Sequence, residues 1–143
     1  TLSSSSAASD VYKRQGYPTA GHADCFAEAA ERYRVSEKLL RAIQVTENRP
    51  GKPDVVSPKN SDGTWDIGLM QINSSWLPKL SQFGIGEKEL LDRCVSANVG
   101  AWILASNIAS HGPVWKAVGA YNSPNAESQR IYIQKVMNNY GGL

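Results

Sequence analysis

The chain predicts a mainly α fold, a single helical domain with a small β-hairpin or irregular region around residues 55–72 and a central buried helix over 94–110. Three observations carry that expectation. Apolar residues recur at helical spacing in most segments. Residues 50–72 interrupt that rhythm with Pro, Gly, Asn and Asp, the residues of turns. Beyond the leader, about 120 residues remain, which suits one domain around one core.

The first residues stand apart from the fold. Ser5-Ser6-Ala7-Ala8-Ser9-Asp10-Val11-Tyr12-Lys13-Arg14-Gln15 resembles the in-frame translation of a common transposase-based sequencing adapter. Residues 1–15 are therefore expected to be foreign to the fold and disordered; a natural serine-rich leader is the alternative. They carry Lys13, Arg14 and Asp10, so without them the formal charge falls from +2 to +1. Gly21-His22-Ala23 has the small-x-small form of a signal-peptidase site, and 16–23 reads as the remnant of a signal peptide. An ordinary polar leader is the other reading. Residues 24–143 are the expected domain.

The elements follow in order. Asp24 is placed to cap a helix running to about Arg34, and Ser36 to cap a second over 37–47. Region 50–72 is irregular, with turn chemistry at Asn60-Ser61-Asp62-Gly63. Short helices are expected around 75–83 and 87–92, separated by Gly84 and Gly86. In 94–110, Val95, Val99, Trp102 and Ile103 share one face and mark the core element. Gly112 stops it and Pro113 opens the next helix at a first-turn position. That helix ends at Tyr121-Asn122, and a last one spans 127–139. Trp76 and Trp102 read as core; Trp65 reads equally as core or as a platform for a ligand ring.

Two carboxyl groups carry the chemistry. Glu47 continues the apolar stripe of Leu39, Leu40 and Ile43 at the end of its helix. Desolvation and the negative helix terminus both favour its protonated form, as a general acid requires. The helix alone also permits a solvated glutamate on a fraying last turn. Asp66 follows nineteen residues later, on a short strand or loop just past a hairpin. A protonated acid plus a second group that manages cationic charge is the inventory of glycoside cleavage. Asp66 bonding its own turn is the plainer reading. Gly68 permits close approach of backbone or ligand, and Met70 and Gln71 offer a soft contact and a two-ended hydrogen-bonding group.

Gly68-Leu69-Met70-Gln71-Ile72-Asn73 resembles the signature of the lysozyme-like lytic transglycosylases. Glu47, ending Ala42-Ile43-Gln44-Val45-Thr46-Glu47, is similar to their catalytic glutamate. Ala120-Tyr121-Asn122 resembles their third motif, and Tyr132 in Ile131-Tyr132-Ile133-Gln134-Lys135-Val136 the tyrosine of a fourth. The likeness runs from about Asp24 to Tyr140 and is greatest to the small enzymes of type IV secretion, conjugation, pilus and type III secretion systems. Asn48 stands where most of the broad family has serine. The stretch 60–73 also resembles that of animal-type lysozymes, in which the aspartate at the position of Asp66 assists catalysis.

The resemblance implies a lysozyme-like fold and a substrate of peptidoglycan glycan strands. It implies Glu47 as acid then base and Asp66 as its assistant, with Gly68, Met70, Gln71, Asn73, Tyr121, Asn122 and Tyr132 holding sugar or Glu47. It implies a 1,6-anhydro product and favours a Cys25–Cys94 disulfide over two buried free thiols. A periplasmic monomer follows, with proteins of a secretion or conjugation apparatus as partners. His22 and His111 stand in no ligand pattern and two cysteines cannot alone hold zinc, so no metal or cofactor is expected. The near-neutral charge gives no case for nucleic acid, and no stretch approaches a transmembrane span. Two other functions fit the residues: a hydrolase using Glu47 and Asp66 with water, and a wall-binding assembly module. An intact Glu47 argues against the last.

Overall fold

The computed structural model describes residues 25–112, 114–122 and 125–143. The expectations for 1–15 and 16–23, for Asp24 as a cap and for Pro113 at a first turn lie outside the described residues.

Helix α1 (Cys25–Tyr33) buries Phe26, Ala29 and Tyr33. It ends one residue before the expected Arg34, which takes φ +56°. Arg34 N donates to Glu31 O and Val35 N to Ala30 O, the paired bonds of a left-handed helix stop, here without glycine. Helix α2 (Glu37–Glu47) has the expected bounds, and Ser36 Oγ accepts from Leu39 N at 3.1 Å. Its Leu39, Leu40, Ala42 and Ile43 are buried.

The irregular region is a two-tier hairpin. Strand β1 (Asp66–Ile67) pairs antiparallel with β2 (Ile72–Asn73) in the register Asp66↔Asn73 and Ile67↔Ile72. On its other side Val56 bridges to Ile67, and Ser57 N donates to Asp66 O at 2.9 Å. Asp66 thus sits between two extended segments rather than simply past one hairpin. The Asn60–Thr64 turn closes through Gly63 N donating to Asn60 O.

A 3-10 turn (Ser74–Trp76) runs into α3 (Leu77–Ser81), and α4 (Glu87–Leu90) follows. Asp92, expected inside the preceding helix, instead caps the next: its Oδ1 accepts from Cys94 N and Val95 N at 2.9 and 3.0 Å. Aspartate gains more at an N-cap than in a helix interior. Helix α5 (Arg93–His111) is buried without interruption from Val95 to Leu104. The single apolar face expected for it understates the burial, because α1, α4, α6 (Val114–Asn122) and β2 pack around it. Two of its buried polar side chains find partners: Asn98 bonds Cys94 O and Arg32, and Ser96 Oγ accepts from Met70 N at 3.0 Å. Trp102 is 2% exposed and meets Trp76 edge-on, ring centroids 5.6 Å apart.

The Cys25–Cys94 disulfide ties α1 to α5 across 69 residues, with Cα atoms 5.3 Å apart. A loop of that size contributes about 2–4 kcal/mol. Helix α7 (Ala126–Gly141), capped by Asn125, packs on both α2 and α6. Among the described residues no helix is long and apolar enough to cross a membrane.

Candidate active site

Three elements converge on one cleft of about 270 Å³. The end of α2 brings Glu47, the hairpin brings Asp66, Gln71 and Asn73, and the end of α6 brings Tyr121 and Asn122. Asn60, Ser61, Asp62 and Thr64 complete the lining. Asn60, Ser61 and Asp62 belong to the turn that the sequence marks and Thr64 follows it; none of the four is among the expected site residues.

Glu47 as a residue keeps some surface at the cleft, while its carboxyl is desolvated. Its pKa is raised to about 7, first by burial and then by the charge of Asp66. Tyr132 and Lys135 act in the opposite direction. The Tyr132 hydroxyl lies beside the carboxyl but makes no hydrogen bond of regular geometry. We read the pair as a close polar contact, with the hydroxyl ready to donate to an ionised Glu47. Burial and the Glu47 charge push the Tyr132 phenol up in turn.

Asp66 is held from both sides. Asn60 Nδ2 donates to one carboxyl oxygen at 3.2 Å and Asn73 Nδ2 to the other at 3.0 Å. Thr64 Oγ1 ties both amides together, accepting from Asn60 and Asn73 at 3.1 and 3.0 Å. Its own proton goes to Asp62 Oδ1 at 2.6 Å, and that bond, with the Thr64 backbone N–H, holds Asp62 below the usual aspartate range. Asp66 therefore does bond its own turn, as the plainer reading expected, and it also faces the cleft.

Of the other expected residues, Gly68, Met70 and Tyr132 are absent from the lining. Gly68, at φ +77°, is buried: a Cβ there would stand 2.2 Å from Leu90 O. The close approach that the glycine permits is thus to the chain's own backbone. Met70 is fully buried on α5, where Gly100 leaves room for it and for the Tyr121 hydroxyl. Tyr121 Oη donates to Met70 O at 3.3 Å, and burial raises its pKa well above the usual phenol value. Gln71 holds φ +51°, an uncommon conformation for a residue with a side chain. Its Nε2 donates to Gly68 O at 2.9 Å. Tyr132 is 5% exposed. Trp65 is not in the lining; its Nε1 donates to Glu87 at 2.6 Å.

Asn48 does structural work that the sequence left unassigned. It is buried, donates to Lys52 O at 2.8 Å and reaches Gly68 O at 3.5 Å. Its Oδ1 accepts from Gly51 N, and its carbonyl from Gln44 Nε2. It clamps the end of α2, and so the backbone beneath Glu47, to the hairpin. Among the described residues no group of three or more His, Cys, Asp or Glu is arranged to hold a metal.

Residues 24–138 match the transglycosylase SLT domain family. The invasion protein IagB of Salmonella typhimurium is 42% identical over 126 residues, covering 85% of this chain and 78% of that protein. Protein IpgF of Shigella flexneri is 35% identical over 128 residues, covering 86% and 83%. A peptidoglycan-binding-like protein of Escherichia coli O157:H7 is 32% identical over 122 residues, covering 78% and 73%.

Proposed function

The chain belongs to the transglycosylase SLT domain family, and from that membership we propose that it cleaves the β-1,4 bond between N-acetylmuramic acid and N-acetylglucosamine, leaving a 1,6-anhydro end. The observation that carries the proposal is Glu47: a desolvated carboxyl of pKa about 7, in a cleft lined by amides and hydroxyls. Near neutral pH such a group holds a proton and releases it readily.

Glu47 gives its proton to the glycosidic oxygen, and the C1–O bond breaks. The departing sugar leaves with a hydroxyl, and C1 of muramic acid becomes oxocarbenium-like. The substrate's acetamido group and the carboxylate of Asp66, fixed by Asn60 and Asn73, offset that charge. Glu47, now a base, takes the proton of the C6 hydroxyl, whose oxygen bonds to C1. No water enters, and Glu47 ends protonated. Gln71, Asn73, Tyr121 and Asn122 position the sugar, while Met70, Gly68 and Tyr132 hold the walls and Glu47 itself.

Residues 24–143 act as one exported, monomeric domain that opens local gaps in the wall for a secretion or conjugation apparatus. The similarity to an invasion protein and the disulfide, which suits an oxidising periplasm, support that setting. A second reading, hydrolysis with water as acceptor, is favoured by one observation: Asp66 lines the same cleft as Glu47. Glu47→Gln tests both against a binding-only role. Wall clearing should be lost and wall binding kept; unchanged clearing would remove Glu47 from the mechanism.

A further inference from the structure

A second pocket, of about 240 Å³, adjoins the end of α2 and shares no lining residue with the cleft. Val45, Thr46, Arg49, Lys135, Asn138 and Asn139 line it. The two hollows differ in charge. The cleft is lined by three carboxyl groups (Glu47, Asp62 and Asp66) and no cation; the pocket has two cations and no carboxyl group.

The cations are arranged and unspent. Arg49 Nη2 donates to Asn139 Oδ1 at 2.8 Å, Asn139 Nδ2 to Thr46 Oγ1 at 2.8 Å, and Thr46 Oγ1 to Ala42 O at 2.7 Å. That relay fixes the guanidinium while leaving donors for a planar acceptor. Among the described residues the ion pairs are Arg41–Glu37 and Arg130–Glu127, so neither Arg49 nor Lys135 is neutralised at contact distance. Lys135 lies one turn beyond Tyr132 on α7, and its charge is felt at Glu47. Thr46 and Arg49, which line the pocket, flank Glu47 in the chain, so the pocket adjoins the same helix end that carries Glu47.

We propose that this pocket binds a carboxylate of the peptide stem that muramic acid carries through its lactyl group, so that the enzyme acts on stem-bearing rather than stripped glycan. The inference rests on the proposed wall-cleaving function and adds a specificity determinant to it. Neutral sugar occupies the acidic cleft, and the anionic arm of the same repeat crosses to Arg49 and Lys135.

The test compares glycan strands bearing stems with the same strands stripped by an amidase, using wild type and the Arg49→Gln, Lys135→Gln double variant. The readout is the ratio of kcat/KM on the two substrates, which cancels any effect of Lys135 on Glu47 common to both. Wild type should favour stem-bearing strands by about tenfold or more, as expected for a charge-assisted contact, and the double variant should bring the ratio near one. An unchanged ratio, or a wild-type ratio already near one, would overturn the proposal while leaving the cleavage reaction intact. Lys135→Gln alone, at an exposed position, guards against misfolding of the double variant. If wild type cleaves neither substrate, the functional reading fails separately. Calorimetric titration with the free stem tetrapeptide then decides: binding lost in the double variant sustains the pocket, and no binding, or equal binding, sinks it.

Discussion

Helix α5 and the segment 48–76 are held in place by different physics. The helix is buried on all sides over ten successive residues, Val95 to Leu104, and its contacts are mostly apolar and non-directional. The segment has only two strands of two residues each. Its shape is fixed by directional bonds: Asn48 to Lys52 and Gly68, Asn60 and Asn73 to Asp66, Met70 N to Ser96. The apolar helix supplies stability and a floor, and the polar segment supplies the placement of charge. Damage to the first should cost free energy of folding and leave KM little changed; damage to the second should reach catalysis as well.

The largest expected effect is at Glu47, which ends α2 immediately before the segment. Glu47→Gln should lower wall cleavage by about 10²–10⁴-fold, the usual contribution of a general acid–base group. It should not weaken the fold. The folded pKa of about 7 lies above the ordinary 4.5, so the folded state keeps a proton that the unfolded state loses between those values. Wild-type stability therefore falls as pH rises through that window, and the glutamine variant is spared. Above pH 7 the variant should be more stable than wild type by on the order of 1–3 kcal/mol, with no gain below pH 4.5. Urea titrations on both sides of the window check this, and equal stabilities at high pH would mean that the carboxyl is solvated.

Leu104→Ala tests the other side. The side chain is fully buried in the core, and its loss should cost about 2–5 kcal/mol with KM little changed in the folded fraction. A large rise in KM would show that the core also sets the cleft. Two glycines then sharpen the contrast within the segment. Gly68→Ala must push Leu90 O away and should cost at least about 2 kcal/mol, whereas Gly63→Ala meets nothing within 4 Å and bears only the positive-φ strain of about 1 kcal/mol. Thermal melts of the pair measure the difference; equal losses would deny the close packing of Gly68. Asn48 tests how the segment supports the acid. Asn48→Ala leaves Lys52 O without its side-chain donor and should cost about 1–3 kcal/mol. It should also lower kcat more than it changes KM, and unchanged kcat would remove Asn48 as the support of Glu47.

What was legible in the sequence follows the same division. The Ser36 cap and the Leu39–Leu40–Ile43 stripe are local signals, and α2 appears with the bounds they predict. The mainly helical fold with one small hairpin is likewise written in periodicity and turn residues. The family motifs marked Glu47 and Asp66, which share one cleft lining. The rest depends on residues far apart in the chain. Gly68 meets Leu90, Asn48 reaches Gly68 and Trp65 meets Glu87, and no local pattern encodes such approaches. Asp92 was misplaced because an aspartate between two helices serves equally as the end of one or the cap of the next. The all-round burial of α5 was hidden because Ser96 and Asn98 interrupt its apolar pattern, and both are satisfied inside. The disulfide came from family likeness, since two cysteines in isolation do not specify a bond.

The central claim is that one carboxyl, Glu47, serves as acid and then as base with no water entering. Mass spectrometry of the soluble products of a peptidoglycan digest by residues 24–143 tests it most directly. The account predicts fragments one water lighter than hydrolytic ones, with no reducing muramic end. Reducing ends would contradict it and would make Asp66 the catalytic partner of Glu47 in a hydrolase.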